Sequence, residues 1–109
     1  MADPRVRQMK IKTGVVKRLA KEKLSYEKET IQQEERIEKM KADGKDEYDI
    51  RKQEEVLGEC KVMIPDSLKR LNVAHEELTK LLEKEEDLKD SEEYKAAQTV
   101  LEDAKTVMA

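Results

Sequence analysis

Residues 50–82 read IRKQEEVLGECKVMIPDSLKRLNVAHEELTKLL, and the spacing of the apolar and small residues in this stretch decides the fold. These residues recur in alternating steps of three and four, at Ile50, Gln53, Leu57, Cys60, Ile64, Ser67, Leu71, Ala74, Leu78 and Leu81. Such steps align side chains along one seam of a helix, as in coiled coils. The stretch therefore predicts one long helix over about residues 47–86.

Two residues of this stretch are poor helix formers. Gly58 costs about 1 kcal/mol relative to Ala in a helix interior. Pro65 costs about 3 kcal/mol, because proline lacks the N–H of the helical hydrogen bond and its ring clashes with the preceding turn. The seam nevertheless keeps its phase across Pro65. We therefore predict one helix that is bent at Pro65, rather than two separate helices.

A second long helix is predicted before this one, over about residues 4–42. Asp3 is a good N-cap, and Pro4 suits the first helical position. The segment ADGKD at residues 42–46 is typical of a helix end followed by a new cap, so the two helices should fold back antiparallel. The seam of the first helix comprises Met9, Val16, Leu19, Tyr26, Thr30, Gln33, Ile37 and Met40, with Lys12 and Lys23 also at seam positions.

A third, shorter helix is predicted over about residues 91–107, after a break at residues 87–90. Its seam comprises Tyr94, Ala97, Leu101, Ala104 and Met108. At 1.5 Å per residue, the long helices should span on the order of 60 Å and the third about 25 Å. We predict an all-α protein whose single domain, residues 1–109, is an elongated up-down-up three-helix bundle, left-handed and coiled-coil-like.

The charge pattern supports this topology. Residues 4–24 contain eight basic residues against one acidic residue, Glu22, whereas residues 76–93 contain nine acidic residues against three lysines. In an up-down-up bundle these two segments lie side by side. Each exposed ion pair contributes only a few tenths of a kcal/mol, but many together favour one alignment of the helices.

The composition argues against an enzyme, a metal site and a bound cofactor. Charged residues make up 45% of the 109 residues and aromatic residues 3%, and the net charge is −3. The single histidine, His75, and the single cysteine, Cys60, provide too few ligands for a zinc site. They lie roughly 22 Å apart along one helix, which is too far for a catalytic pair. The basic first helix lacks interleaved aromatic residues, and no apolar run resembles a signal peptide or membrane span. We therefore expect a soluble intracellular protein with no nucleic-acid or membrane partner.

A protein-binding surface is the more plausible feature. The third helix should cover only about half of the rod, so the other end should be two-stranded with apolar edges exposed. Single exposed valines are also common on ordinary surfaces, and that alternative stays open. The candidate partner-binding residues are Ile31, Val56 and Met63, which flank the seams, and Val62 and Val73, which lie nearly opposite the seam of the second helix.

Five stretches of the chain resemble the tubulin-specific chaperone A family, also called tubulin folding cofactor A. The N-terminal stretch and MIPD, which surrounds the helix-interrupting proline, are the most specific. The stretches follow one another over nearly the whole chain: MADPRVRQMKIKTGVVKRLAKEK (1–23), YEKE (26–29), QQEERIEKMKA (32–42), MIPD (63–66) and EEYKAAQTVLEDAK (92–105).

The resemblance implies a rod-like, cofactor-free, monomeric protein of the cytoplasm, associated with the cytoskeleton. It implies that β-tubulin is the partner, captured as a folding intermediate after release from the cytosolic chaperonin, without ATP or catalysis. Other tubulin-folding cofactors are further candidate partners. From the residues alone, a generic coiled-coil adaptor or oligomerisation module remains the alternative.

Overall fold

The computed structural model describes residues 3–109 and contains three α-helices within them. They are α1 (Pro4–Ala42), α2 (Glu47–Lys84) and α3 (Glu92–Met108), and a short 3-10 turn, Glu86–Leu88, precedes α3. The helices run up, down and up in a rod of 64 × 26 × 17 Å. The predicted all-α, elongated three-helix bundle is confirmed.

Each helix begins at a side-chain cap, because the first N–H groups of a helix lack partners within it. Asp3 accepts from the N–H of Arg5, Asp46 from that of Tyr48, and Ser91 from that of Tyr94. Gly44 lies just past α1 with a φ of 69°, a left-handed conformation that favours glycine. These local signals place the turns where the sequence indicated.

The end of α2 differs from the predicted end at about residue 86. The helix ends at Lys84, since Glu85 has φ −107° and ψ 39° and leaves the helical conformation. Glu85 is thereby buried, and its carboxylate accepts a hydrogen bond of 2.9 Å from Arg5 Nη1. A buried carboxylate needs such a cationic partner, and this tertiary contact was invisible in the local pattern.

The main core lies in the half of the rod where all three helices meet. Near the end of α2, Leu82 is buried, whereas the predicted seam contained Leu81. The predicted seam was wrong at this point because a helix with 3.6 residues per turn drifts against a strict repeat of 3.5 residues. Leu81 is half-buried against the same core. The core residues are Met9, Val16 and Leu19 of α1, Leu71, Ala74, Leu78 and Leu82 of α2, and Tyr94, Ala97, Leu101 and Ala104 of α3.

Helix α2 is continuous across Pro65, as predicted. Pro65 itself is exposed. Its missing N–H leaves the Lys61 carbonyl without the usual helical partner, which is the physical basis for expecting a bend there. Two residues later, the fully buried Ser67 donates its hydroxyl to the Ile64 carbonyl at 2.9 Å. The bend itself stays a prediction.

The predicted alignment of basic and acidic segments is present at the end of the rod near the N-terminus. Arg5 lies 2.8 Å from Asp3, 2.9 Å from Glu85 and 2.8 Å from Asp87. Hydrogen bonding to the Arg5 side chain and backbone lowers the pKa of Asp3, and the hydrogen bonds to Asp3, Asp87 and Glu85 raise the pKa of Arg5. The network joins the start of α1 to the turn between α2 and α3.

None of the helices within residues 3–109 combines the length and apolar character needed to cross a bilayer.

Candidate partner-binding surface

A buried lysine marks the end of the three-stranded part of the rod. Lys23 Nζ donates a 2.6 Å hydrogen bond to the carbonyl of Val107, in the last turn of α3, and lies 2.8 Å from Glu27 Oε1. The Lys23 side chain is only 10% exposed. A cation at a helix C-terminus satisfies its unpaired carbonyls and opposes its partial negative charge. Beyond Lys23, α1 and α2 continue without α3.

The contact between α1 and α2 in this two-stranded half is partly polar. Gln33 Nε2 donates to the backbone carbonyl and to the side-chain Oε1 of Gln53, each at 2.9 Å. The buried Thr30 hydroxyl donates to the Tyr26 carbonyl at 2.9 Å. The buried amide and hydroxyl therefore have partners, as burial of polar groups requires. Ile37 adds a buried apolar residue farther along α1.

A groove lies between α1 and α2 in this two-stranded half, and we call it the open groove. Its apolar lining is Ile37 and Leu57, and Gly58 leaves room beside them, since a Cβ at that position would meet nothing within 4 Å. Charged side chains form the rest of the lining: Glu34, Glu38, Lys41, Glu54 and Lys61. Lys41 and Glu54 form an ion pair of 3.6 Å across it.

The open groove lies on the same side of the α1–α2 pair as α3, farther along the rod. On α2, Leu57 lies about five helical turns before His75, whose Nε2 hydrogen-bonds the Leu101 carbonyl of α3 at 3.0 Å. On α1, Lys41 lies about five turns after Lys23, which also contacts α3. Residues separated by whole turns share a face of a helix. The side of the α1–α2 pair that α3 covers in one half is therefore uncovered in the other.

The candidate residues predicted from the sequence are largely on the surface. Ile31, Val56, Val62 and Val73 are exposed, Val62 most of all at 65%, and Met63 is half-buried. Their spacing separates them, however. Val62 and Val73, about three turns apart, share the outward face of α2, whereas Val56 and Met63 share a flank and Ile31 lies on α1.

The sequence pattern predicts an uncovered two-stranded end but not the groove within it. None of the five candidates lines the open groove. Ile37 and Leu57 are both seam positions, for which the pattern predicts burial; Ile37 is buried, whereas Leu57 is half-buried at the edge of the groove. The signal that could have identified them was the difference in length between α3 and the two long helices. A seam residue of α2 beyond the reach of a third helix, such as Leu57, can be left at the edge of an open groove.

Comparison with known proteins gives the family. A family model described as Tubulin binding cofactor A matches residues 4–101. The Tubulin-specific chaperone A of Gallus gallus is 63% identical over 105 residues, which cover 96% of this chain and 97% of the relative. The chain belongs to the tubulin binding cofactor A family.

Other members of the family agree in sequence and in fold. The Tubulin-folding cofactor A of Arabidopsis thaliana is 41% identical over 95% of this chain and 88% of its own length. The solved structure of human tubulin chaperone cofactor a matches with a TM-score of 0.80 and 57% identity, covering 94% of this chain and 99% of that one. The crystal structure of the Arabidopsis thaliana protein matches with a TM-score of 0.86. The family resemblance predicted from the sequence is confirmed.

Proposed function

We propose that this chain is a tubulin-folding cofactor that captures and stabilises β-tubulin folding intermediates after their release from the cytosolic chaperonin. The observation that carries the proposal is membership, over nearly the full length, of a family whose relatives are named tubulin-specific chaperones. The cofactor acts stoichiometrically, without ATP and without catalysis. It is a cytoplasmic monomer associated with the cytoskeleton through its partner, and other tubulin-folding cofactors are candidate further partners.

The open groove is the surface that we propose for the partner. It offers the half-buried Leu57 above the buried Ile37, beside a glycine and a rim of both charges, on the face that α3 covers farther along the rod. A folding intermediate exposes apolar surface that the finished protein buries. Capture of the folded-like form stabilises it by mass action, by about 2.7 kcal/mol when the cofactor is present at 100 times its dissociation constant.

The first experiment mixes the protein with β-tubulin released from the chaperonin and separates the products by gel filtration. We expect a one-to-one complex that forms without nucleotide. Absence of a complex, together with self-association in analytical ultracentrifugation, would instead favour a coiled-coil adaptor or oligomerisation module.

A matched pair of glycine variants then tests the groove. Gly58→Gln fills the groove with a long neutral side chain, whereas Gly14→Gln places the same side chain on an exposed position of α1. A Cβ at either glycine meets nothing within 4 Å, and glutamine is the better helix former, so both variants should fold. We expect Gly58→Gln to weaken the β-tubulin complex about tenfold and Gly14→Gln to leave it unchanged. Equal affinities of the two variants would exclude the open groove but not the cofactor function.

The candidates outside the groove need separate variants. Val62→Ser with Val73→Ser removes the outward apolar pair of α2, and Ile31→Ser, Val56→Ser and Met63→Ser address the remaining positions. We propose that each contributes to the partner contact. If a serine variant keeps its helical circular dichroism and binds β-tubulin with full affinity, that position does not contribute to the partner contact.

Pro65 offers a test of shape. Pro65→Ala restores a helical N–H and should straighten and stabilise α2. If the bend fits the rod to a curved partner, the straightened variant should bind β-tubulin more weakly. Unchanged affinity of a rod that small-angle scattering finds straighter would refute the role of the bend.

A further inference from the structure

A row of cations runs along the solvent-facing side of α1, and we call it the basic stripe. Its members are all exposed: Arg7, Lys10, Lys17, Lys21 and Lys28. At about 100° per residue, these positions fall on the side of α1 opposite its buried residues, such as Val16 and Thr30. The stripe therefore faces away from α2 and from the open groove, and only Lys10, at its edge, borders a surface depression together with Glu92 and Glu93 of α3.

Among the residues that the structure describes, the fold leaves these cations without ion pairs, although Glu92 and Glu93 of α3 lie near Lys10, whereas other cations of α1 are paired. Lys12 lies 3.6 Å from Glu77 of α2, and Lys23 forms an ion pair with Glu27. The remaining acidic residue of this region, Glu22, lies 3.9 Å from Arg18. Within residues 3–109, no member of the basic stripe forms an ion pair. Within the described part of the chain, the cations in this half of α1 thus divide into a group that forms ion pairs and an outward row that forms none.

Two features of the basic stripe destabilise α1 as an isolated helix. Lys17 and Lys21 are four residues apart on one helix, a spacing at which like charges destabilise by a few tenths of a kcal/mol. Arg7 lies near the positive end of the α1 dipole, where the first turn contains no acidic residue. An arrangement that costs the isolated helix stability is better accounted for by a negatively charged partner.

We propose that the basic stripe binds an acidic, extended segment of a protein partner. From Arg7 to Lys28 the stripe spans about 30 Å along α1, the length of about ten residues of extended chain. Four of its five cations are lysines, whose compact ammonium groups pair with carboxylates without a fixed geometry. The stripe has no aromatic member on which bases could stack, so a single-stranded nucleic acid fits it less well.

The inference goes beyond the proposed function, since the acidic segment is defined by its charge and not by the protein that carries it. The test uses a fluorescein-labelled peptide of six Glu-Ser repeats, and measures fluorescence anisotropy at low salt with the full chain. The reversed-charge variant is Lys17→Glu with Lys21→Glu. The control is Lys69→Glu with Lys95→Glu, which makes the same change in net charge at exposed positions of α2 and α3.

We expect the wild-type chain to bind the peptide, and binding to weaken as salt is raised, because charges are screened beyond about 10 Å at 0.1 M. The stripe variant should bind at least tenfold more weakly, and the control should change less than twofold. Since all four positions are exposed, circular dichroism should find both variants folded.

Two results would overturn the proposal. Equal weakening by both variants would mean that only the net charge matters. Tighter binding of a twelve-nucleotide single strand, or of anionic vesicles, with the same dependence on Lys17 and Lys21, would assign the stripe to a different class of partner. Because the peptide contains no tubulin sequence, neither result bears on the β-tubulin complex.

Discussion

Replacing Lys23 by Met tests whether a single buried cation holds α3 in place. Methionine keeps the length and apolar stem of the side chain but removes the ammonium group. The variant loses the 2.6 Å hydrogen bond to the Val107 carbonyl and the 2.8 Å contact with Glu27. The volume of the core is nearly unchanged, so the effect reports on the polar contacts and not on packing.

The magnitude follows from two opposing effects. A hydrogen bond to a charged group contributes about 1.5–3 kcal/mol. Against this, the Glu27 side chain is 41% exposed as a whole and can rotate its buried Oε1 into water, and the Val107 carbonyl lies in the last turn of α3. We therefore expect the lower end, a loss of about 1.5 kcal/mol from the free energy of unfolding. For a domain of this size, that lowers the melting temperature by about 6 °C.

Thermal unfolding by circular dichroism and amide hydrogen exchange measure the two consequences. The backbone amides in the last turn of α3 should exchange faster in Lys23→Met. Lys21→Met is the matched control, because Lys21 is exposed on the same helix and should change stability by less than about 0.5 kcal/mol. A variant as stable as the wild type, with unchanged exchange in α3, would refute the reasoning. Desolvation of the ammonium would then equal what its contacts contribute.

Three further predictions concern the core, the helix backbone and the response to pH. Leu78→Ala removes a fully buried side chain and should cost about 3–4 kcal/mol in chemical denaturation; a loss below about 1 kcal/mol would mean that the site collapses around the cavity. Gly14→Ala should raise the stability by about 1 kcal/mol, because a Cβ there meets nothing within 4 Å, and a lower melting temperature would contradict this. Because hydrogen bonding to Arg5 lowers the pKa of folded Asp3, this carboxylate stabilises the fold above its unfolded pKa, near 3.9, and the contribution is lost as the pH falls through the folded value. Asp3→Asn should therefore be less stable than the wild type at pH 7 and should approach it in denaturation at acid pH, whereas a difference independent of pH would exclude the effect.

The sequence predicted the fold closely because its decisive features are local. Seams at steps of three and four, the caps Asp3, Asp46 and Ser91, and the glycine turn at Gly44 each act within one or two helical turns. The continuity of α2 across Pro65 could be read from the unbroken phase of the seam. The family could likewise be recognised, since its specific stretches lie in order along the chain.

The proposed binding surface could be predicted only in outline. The lengths of the helices indicated an uncovered end. Ile37 is buried, as its seam position predicts, but Leu57 is only half-buried and lines the open groove, whereas the candidates selected from the sequence flank the seams. Whether a seam residue is buried depends on the helix that lies opposite, and that neighbour comes from a distant part of the chain. The partner-binding candidates selected from the sequence lie on three separate faces for the same reason.

The basic residues of α1 show most clearly which contacts cannot be predicted from the sequence. The sequence alone determined three helices, their breaks and the concentration of positive charge near the N-terminus, because periodicity, capping and composition are properties of neighbouring residues. The seam already placed Lys23 inward and left Lys17 and Lys21 outside it, but only the tertiary structure decided that the Lys23 ammonium group binds the end of α3. The carbonyl that receives Lys23 belongs to Val107, 84 positions along the chain, and no local pattern records a contact made by folding the chain back on itself.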